Sequence, residues 1–122
     1  MAGYDGLRVL VVEDEDLVAL MVEDMVADLG CEVVHTARTV PEALAAAETE
    51  RVEFALLDVN LSGSQVFPVA DALIRRQIPF AFASGYGQGA VPDTYRTVPV
   101  IPKPFRIEDI DAAIRSVVPA AD

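Results

Sequence analysis

The chain has 122 residues, of which 52% are hydrophobic and 24% charged, a balance typical of a folded globular domain rather than a disordered segment. Twenty acidic and nine basic residues give a net charge of -11, which disfavours a nucleic-acid backbone or an anionic membrane as partner. The length predicts a single domain, residues 1–122 with a core over about 7–118, without room for a second catalytic or DNA-binding unit.

The composition also indicates a compartment. The single cysteine, Cys31, cannot form an internal disulfide, and no apolar run approaches the roughly 20 residues of a membrane-spanning helix. Residues 1–6 lack the basic flank and long apolar stretch of a secretion signal. We therefore expect a cytoplasmic protein whose partners are cations or other proteins.

The elements predicted along the chain are strands and helices in alternation. Short β-branched or apolar runs predict buried strands, and apolar residues at helical spacing predict helices. In chain order these are strand 7–12, helix 16–29, strand 31–36, helix 39–49, strand 54–57, helix 68–76, strand 79–83, helix 92–96, strand 98–101 and helix 107–117. We expect the fourth helix to be short or irregular, because three glycines precede it and Pro92 lies within it.

This alternation predicts a doubly wound α/β fold. Five strands joined through helices imply right-handed crossovers and a parallel sheet covered by helices on both faces. In such sheets, ligands bind outside the carboxyl ends of the strands. The polar residues that we expect at those ends are Glu13, Asp14, Asp58, Ser84 and Lys103.

Three of these residues are acidic and predict a cation site. At close range Glu13, Asp14 and Asp58 would repel one another unless protons or a divalent cation neutralised them. Mg²⁺ suits such a site because it combines carboxylate oxygens with water and leaves positions for phosphate oxygens. Asp58 is then a candidate nucleophile for a phosphoryl group, Lys103 would neutralise the transferred oxygens, and Ser84 would donate a hydrogen bond to one of them.

The motifs around these residues resemble those of the receiver domains of response regulators. The resemblance runs from about Leu7 to Val118 and rests on Val11-Val12-Glu13-Asp14, Leu56-Leu57-Asp58-Val59-Asn60, Ser84 and Lys103-Pro104-Phe105. It implies a flavodoxin-like sheet of strand order 2-1-3-4-5. It also implies that a histidine kinase or histidine phosphotransfer protein phosphorylates Asp58, and that the altered surface acts on a downstream protein that the sequence does not identify.

The same resemblance implies a ligand set for the metal. Asp14, Asp58 and the backbone carbonyl of Asn60 would bind Mg²⁺, and Glu13 would act through water. It further implies a cis bond between Lys103 and Pro104, which the chemistry of proline permits.

A narrower similarity lies in the segment 79–87, which resembles receivers that carry a Phe-Ala-Thr-Gly-Tyr-Gly signature; many of those are stand-alone regulators or parts of sensor kinases. Here Ser84 replaces the threonine and keeps its hydroxyl, and Glu13 replaces the more common aspartate. Val100 stands where chemotaxis-type receivers carry tyrosine or phenylalanine, so their aromatic rotation cannot be carried over. Tyr86 is interpreted either as a partner contact or as a loop aromatic.

Other interpretations of the same residues remain open. The chain could be the receiver domain of a hybrid sensor kinase, or a pseudo-receiver that never carries phosphate, although the complete set of acids, hydroxyl and ammonium argues against the latter. A haloacid-dehalogenase-like phosphohydrolase also combines an aspartate nucleophile with Mg²⁺, serine or threonine, and lysine. In this chain Asn60 stands where such an enzyme carries its second aspartate. We therefore expect a phosphoacceptor domain rather than an enzyme.

Overall fold

The computed structural model describes residues 5–61, 63–85 and 87–119, and its main sheet has five strands. These are β1 (Arg8–Val12), β2 (Glu32–Ala37), β3 (Phe54–Asp58), β4 (Phe80–Ser84) and β5 (Val100–Pro102). Neighbouring strands pair in parallel, in the spatial order β2-β1-β3-β4-β5. The predicted doubly wound sheet and its strand order are confirmed.

Four α-helices flank the sheet in the described part of the chain. They are α1 (Asp16–Asp28), α2 (Val40–Thr49), α3 (Phe67–Arg75) and α4 (Ile107–Val117). The connection from β4 to β5, where we predicted a fourth helix that is short or irregular, forms two 3-10 turns, Gly87–Ala90 and Asp93–Tyr95, and no α-helix. Glycine and proline weaken regular helix hydrogen bonding there, which is why the connection remains irregular. None of the helices among the described residues has the length and apolar character that crossing a bilayer requires.

The central strands are buried on both faces. Every residue of β3 and β4 is buried, and the last residue is the only polar one in each strand: Asp58 in β3 and Ser84 in β4. Successive side chains of the strands belong alternately to two apolar clusters, one on each face of the sheet. One cluster includes buried residues of α2 and α3, and the other includes buried residues of α1 and α4. This packing holds the two polar side chains at the carboxyl edge of a rigid sheet.

A short hairpin follows β3 and was not predicted. Asn60–Leu61 pairs antiparallel with Ser64–Gln65. Gly63 lies in the turn with a φ of 88°, a conformation that glycine adopts without steric cost. The hairpin positions the chain between β3 and α3 beside the carboxyl edge of the sheet.

Tyr95 anchors the irregular connection between β4 and β5. Its ring stacks on Phe67 at a centroid distance of 5.4 Å and meets Phe82 edge to face at 5.5 Å. Its hydroxyl donates a hydrogen bond to Asp71 Oδ1 at 2.6 Å, so the connection is joined to α3 through both apolar and polar contacts. Val100 lacks an aromatic ring, whereas Tyr95 in the connection is aromatic and buried.

We predict that Tyr95→Phe destabilises the fold by about 1 kcal/mol at pH 7, because the hydrogen bond to Asp71 is lost while the ring packing remains. Burial, together with that hydrogen bond, raises the pKa of Tyr95 from 10 to about 12. The stability that the neutral phenol contributes to the fold is therefore present below pH 10 and is lost as the pH rises through 12. Urea denaturation of both proteins at neutral and alkaline pH measures the difference; equal stability at pH 7 would contradict the prediction.

Candidate functional site

Three carboxylates meet at the carboxyl edge of the sheet. Glu13 and Asp14 follow β1, Asp58 ends β3, and one oxygen from each of the three lies within 4.8 Å of the others. They meet because β1 and β3 are parallel neighbours in which Val12 pairs with Leu57, so the next residues of both strands lie side by side. The sheet thus brings Asp58 close to two acids that precede it by 44 and 45 positions in the sequence.

Lys103 supplies a positive charge to this cluster. Its Nζ lies 3.1 Å from Asp58 Oδ2, to which it donates a hydrogen bond, and 3.3 Å from Glu13 Oε1. The residue follows β5, and its backbone N–H donates to the carbonyl of Ser84 at 3.3 Å. The Lys103–Pro104 peptide bond is cis, as the resemblance implied. Two neighbouring strand ends therefore position Ser84 and Lys103 beside Asp58.

Glu13 is the most deeply buried acid of the cluster, with 2% of its surface exposed. Its Oε2 accepts a hydrogen bond from the backbone N–H of Glu15 at 3.2 Å. Its Oε1 forms an ion pair with Lys103 Nζ at 3.3 Å but has no hydrogen-bond partner of good geometry among the described residues. Burial, followed by the charge of Asp58, raises the pKa of Glu13 to about 7.

The ammonium of Lys103 remains charged in this environment. Burial acts to lower the pKa of Lys103, but the hydrogen bond to Asp58 and the charges of Asp58 and Glu13 outweigh it and raise that pKa. One ammonium cannot neutralise three carboxylates, so the cluster keeps excess negative charge when all three are ionised. A buried carboxylate oxygen without a hydrogen bond and three oxygen donors in close reach fit a hard divalent cation such as Mg²⁺.

The cluster lies in an open cleft that the sequence predicted only in part. Asp14, Asp58, Ser84 and Lys103 line it, and so does Asn60, whose N–H donates to Asp58 Oδ1 at 3.3 Å. The other lining residues include Gly63 and Gln65 from the hairpin, and Gly89 and Ala90 from the first 3-10 turn. Sequence reasoning missed these because neither the hairpin nor that turn has a periodic apolar pattern. Tyr86 lies outside the described residues.

Comparison with known proteins identifies the family. The response regulator receiver domain matches residues 9–115 of the chain. The chain belongs to this family. The match supports the receiver interpretation and not the phosphohydrolase alternative.

This receiver domain is similar to parts of two longer regulators. It is 33% identical over 119 residues to the phyllosphere-induced regulator PhyR of Methylorubrum extorquens, over 93% of this chain and 44% of PhyR. It is 27% identical to the transcriptional regulatory protein PdtaR of Mycobacterium tuberculosis, over 88% of this chain and 54% of PdtaR. The chain thus spans about half the length of these curated relatives.

Solved structures include a relative of similar length. The solution structure of SdrG from Sphingomonas melonis Fr1 is 40% identical, with a TM-score of 0.83 over 96% of this receiver domain and 98% of SdrG. The response regulator PhyR from Brucella abortus is 32% identical, with a TM-score of 0.77 over 91% of this receiver domain and 47% of PhyR. The fold is therefore that of response regulator receivers.

We predict that Glu13→Gln stabilises the metal-free domain at pH 8. Because the pKa of Glu13 is raised from 4.5 to about 7, the stability associated with its protonated carboxyl is present below pH 4.5 and is lost as the pH rises through 7. Glutamine remains neutral throughout. In EDTA, the free energy of unfolding of the variant should therefore exceed that of the wild type by on the order of 2 kcal/mol at pH 8. This difference should become smaller toward pH 5.

Chemical denaturation at both pH values measures this gap. Glu108→Gln is the control, since that side chain is exposed in the first turn of α4 and lies away from the cluster. A gap that stays constant between pH 5 and pH 8 would show that the effect does not come from ionisation of Glu13.

Proposed function

We propose that this chain is a single receiver domain, residues 1–122, in which Asp58 accepts a phosphoryl group in the cytoplasm. The observation that carries the proposal is the contact of 3.1 Å between the Asp58 carboxylate and Lys103 Nζ, inside a cluster of three acids that opens to a cleft. A carboxylate held beside a fixed ammonium is well placed to take up a phosphoryl group, because the ammonium compensates the charge that the group brings.

The transfer step follows from these positions. A carboxylate oxygen of Asp58 attacks the phosphorus of a phosphohistidine, the new P–O bond forms, and the P–N bond breaks with its electron pair returning to the imidazole. Lys103 stabilises the negative charge on the transferred oxygens, and the hydroxyl of Ser84 donates a hydrogen bond to one of them. The product is an acyl phosphate on Asp58.

The proposed metal site uses the residues that fit a hard cation. Asp14, Asp58 and the backbone carbonyl of Asn60 would hold Mg²⁺, and Glu13 would contribute through water. When bound, the ion supplies positive charge to the phosphoryl oxygens and offsets the repulsion within the cluster. The residues of the site promote gain and loss of the group on the domain itself, so we infer a phosphoacceptor and not an enzyme with a separate substrate.

Helix α1 offers a surface for the phosphodonor protein. Leu17, Leu20 and Met21 have 77%, 56% and 46% of their surfaces exposed. Positions separated by three and four residues share one side of a helix, and α1 begins at Asp16, directly after the acids of the cluster. This apolar patch beside the site fits a histidine kinase or histidine phosphotransfer protein that carries apolar residues on its own surface. Because the net charge of this chain is -11, we expect basic residues around the apolar ones of the partner.

The downstream partner is also proposed to be a protein. PhyR from Bartonella quintana, which is 30% identical over 90% of this chain, is an anti-anti-sigma factor. The net charge of -11 likewise favours a protein target over nucleic acid. A phosphoryl group on Asp58 would shift the balance between two conformations of the surface near Ser84 and so alter affinity for the target.

We predict that acetyl phosphate labels the wild-type chain in the presence of Mg²⁺ and that Asp58→Asn abolishes the label. Asparagine keeps the shape of the side chain but cannot form an acyl phosphate. Phosphate-affinity electrophoresis measures the modified fraction, with EDTA expected to suppress labelling of the wild type. Asp93→Asn, a change of an exposed acid in the second 3-10 turn, serves as the control and should label normally. Persistent labelling of Asp58→Asn would refute the assignment.

We predict that the double change Leu17→Ser, Leu20→Ser slows phosphotransfer from a protein donor at least tenfold, because it removes the apolar contact on α1. The donor is a histidine phosphotransfer protein that phosphorylates the wild-type chain. Labelling by acetyl phosphate should stay within twofold of the wild type, since that donor needs no docking surface. Ile74→Ser is the matched control, because Ile74 is an exposed apolar residue on α3. Equal losses with both donors would argue against a docking role.

A further inference from the structure

The hairpin after β3 places one glutamine at the mouth of the site. Gln65 is exposed, lines the same cleft as Asp58 and Lys103, and pairs directly across the hairpin with Asn60. Side chains of directly paired residues lie on the same face of a ladder, at neighbouring positions. Because Asn60 comes two residues after Asp58 and donates its N–H to the Asp58 carboxylate, the pairing holds the backbone of Gln65 near the phosphoacceptor.

The carboxamide of Gln65 is available for a ligand. Within the ranges that the structure describes, its side chain makes no hydrogen bond, whereas the Oδ1 of Asn60 accepts one from the N–H of Gly63 at 2.9 Å. Glu15 also lines the cleft, but its carboxylate would repel a phosphoryl group. Gln65 is neutral and offers two N–H donors and one acceptor oxygen, so it can bind a phosphoryl oxygen and a water molecule together.

We propose that Gln65 positions the water that hydrolyses the acyl phosphate and so sets the lifetime of the phosphorylated form; this inference rests on the proposed function. Its Oε1 accepts a hydrogen bond from the water, and its Nε2 donates to a phosphoryl oxygen. The water oxygen attacks phosphorus, and the bond between phosphorus and the Asp58 oxygen breaks with its electron pair returning to the carboxylate. The proton of the water passes to the released phosphate. Orienting a nucleophilic water in this way lowers the barrier to phosphoryl transfer.

The test compares the decay of the phosphorylated wild type with that of Gln65→Leu and Gln65→Met. Each protein is labelled with acetyl phosphate and Mg²⁺, the donor is removed by desalting, and the phosphorylated fraction is followed by phosphate-affinity electrophoresis. Methionine keeps the length of the side chain without its hydrogen-bonding groups. Both variants should lose the phosphoryl group three- to tenfold more slowly than the wild type.

Two further measurements separate this role from a structural one. Melting temperatures should match that of the wild type, because the side chain of Gln65 is exposed and makes no hydrogen bond among the described residues. Decay is followed only after the donor has been removed, so a change in the rate of labelling does not enter the measured lifetime. Ser64→Ala is the control, because Ser64 is the exposed neighbour whose side chain lies on the opposite face of the hairpin. The phosphorylated form of this variant should have the same lifetime as that of the wild type.

The outcomes distinguish the two proposals. A wild-type chain that is labelled, with decay that is equally fast or faster in both Gln65 variants, overturns the role of Gln65 alone. An equal slowing in Ser64→Ala also overturns it, because the effect would then come from the hairpin as a whole. A wild-type chain that takes up no phosphoryl group contradicts the phosphoacceptor function of Asp58, and the role of Gln65 with it.

Discussion

The bridge from Lys103 to Glu13 and Asp58 is the interaction on which the site depends. Two buried carboxylates cannot stay ionised side by side without compensation, and the ammonium lies 3.3 Å from one and 3.1 Å from the other. The compensation is incomplete, because Asp14 adds a third acid and one oxygen of Glu13 has no hydrogen bond within the described residues. The remaining negative charge is what the proposed cation would neutralise, and the cation together with Lys103 would compensate the charge of the proposed phosphoryl group.

The sheet makes this costly arrangement possible. All residues of β3 and β4 are buried and all but the last of each are apolar, so close packing opposes a movement of the strand ends that would separate Asp58 from Glu13. The adjacent connections are less regular. The hairpin that carries Gln65 and the first 3-10 turn, which both line the cleft, are short segments, and Tyr95 anchors the second 3-10 turn to α3. The strand ends thus hold the acids of β1 and β3 and the hydroxyl of Ser84, and the irregular connections complete the wall of the cleft.

Most of the fold could be predicted from local patterns. The five strands and most of the helices follow from apolar runs and helical spacing, and the parallel direction of the strands follows from their alternation with helices. The spatial order of the strands was implied by the resemblance to receiver domains. The fourth helix, which we expected to be short or irregular, consists of two 3-10 turns, because glycine and proline oppose a regular α-helix there. The hairpin at 60–65 was missed because two-residue strands are too short to show a period. The anchoring role of Tyr95 was missed because its partners, Phe67, Phe82 and Asp71, are all distant in the sequence.

By itself the sequence determined which chemical groups stand at the carboxyl ends of the strands, since residue type and strand boundary are both local properties. It thereby defined the fold class and the set of acids, hydroxyl and ammonium. Only the tertiary structure decided how close these groups come, which oxygen of Glu13 lacks a hydrogen bond, and that Glu15 and Gln65 also line the cleft. Such relations depend on the register between strands and on the path of irregular connections, and both result from packing of the whole chain rather than from any local pattern.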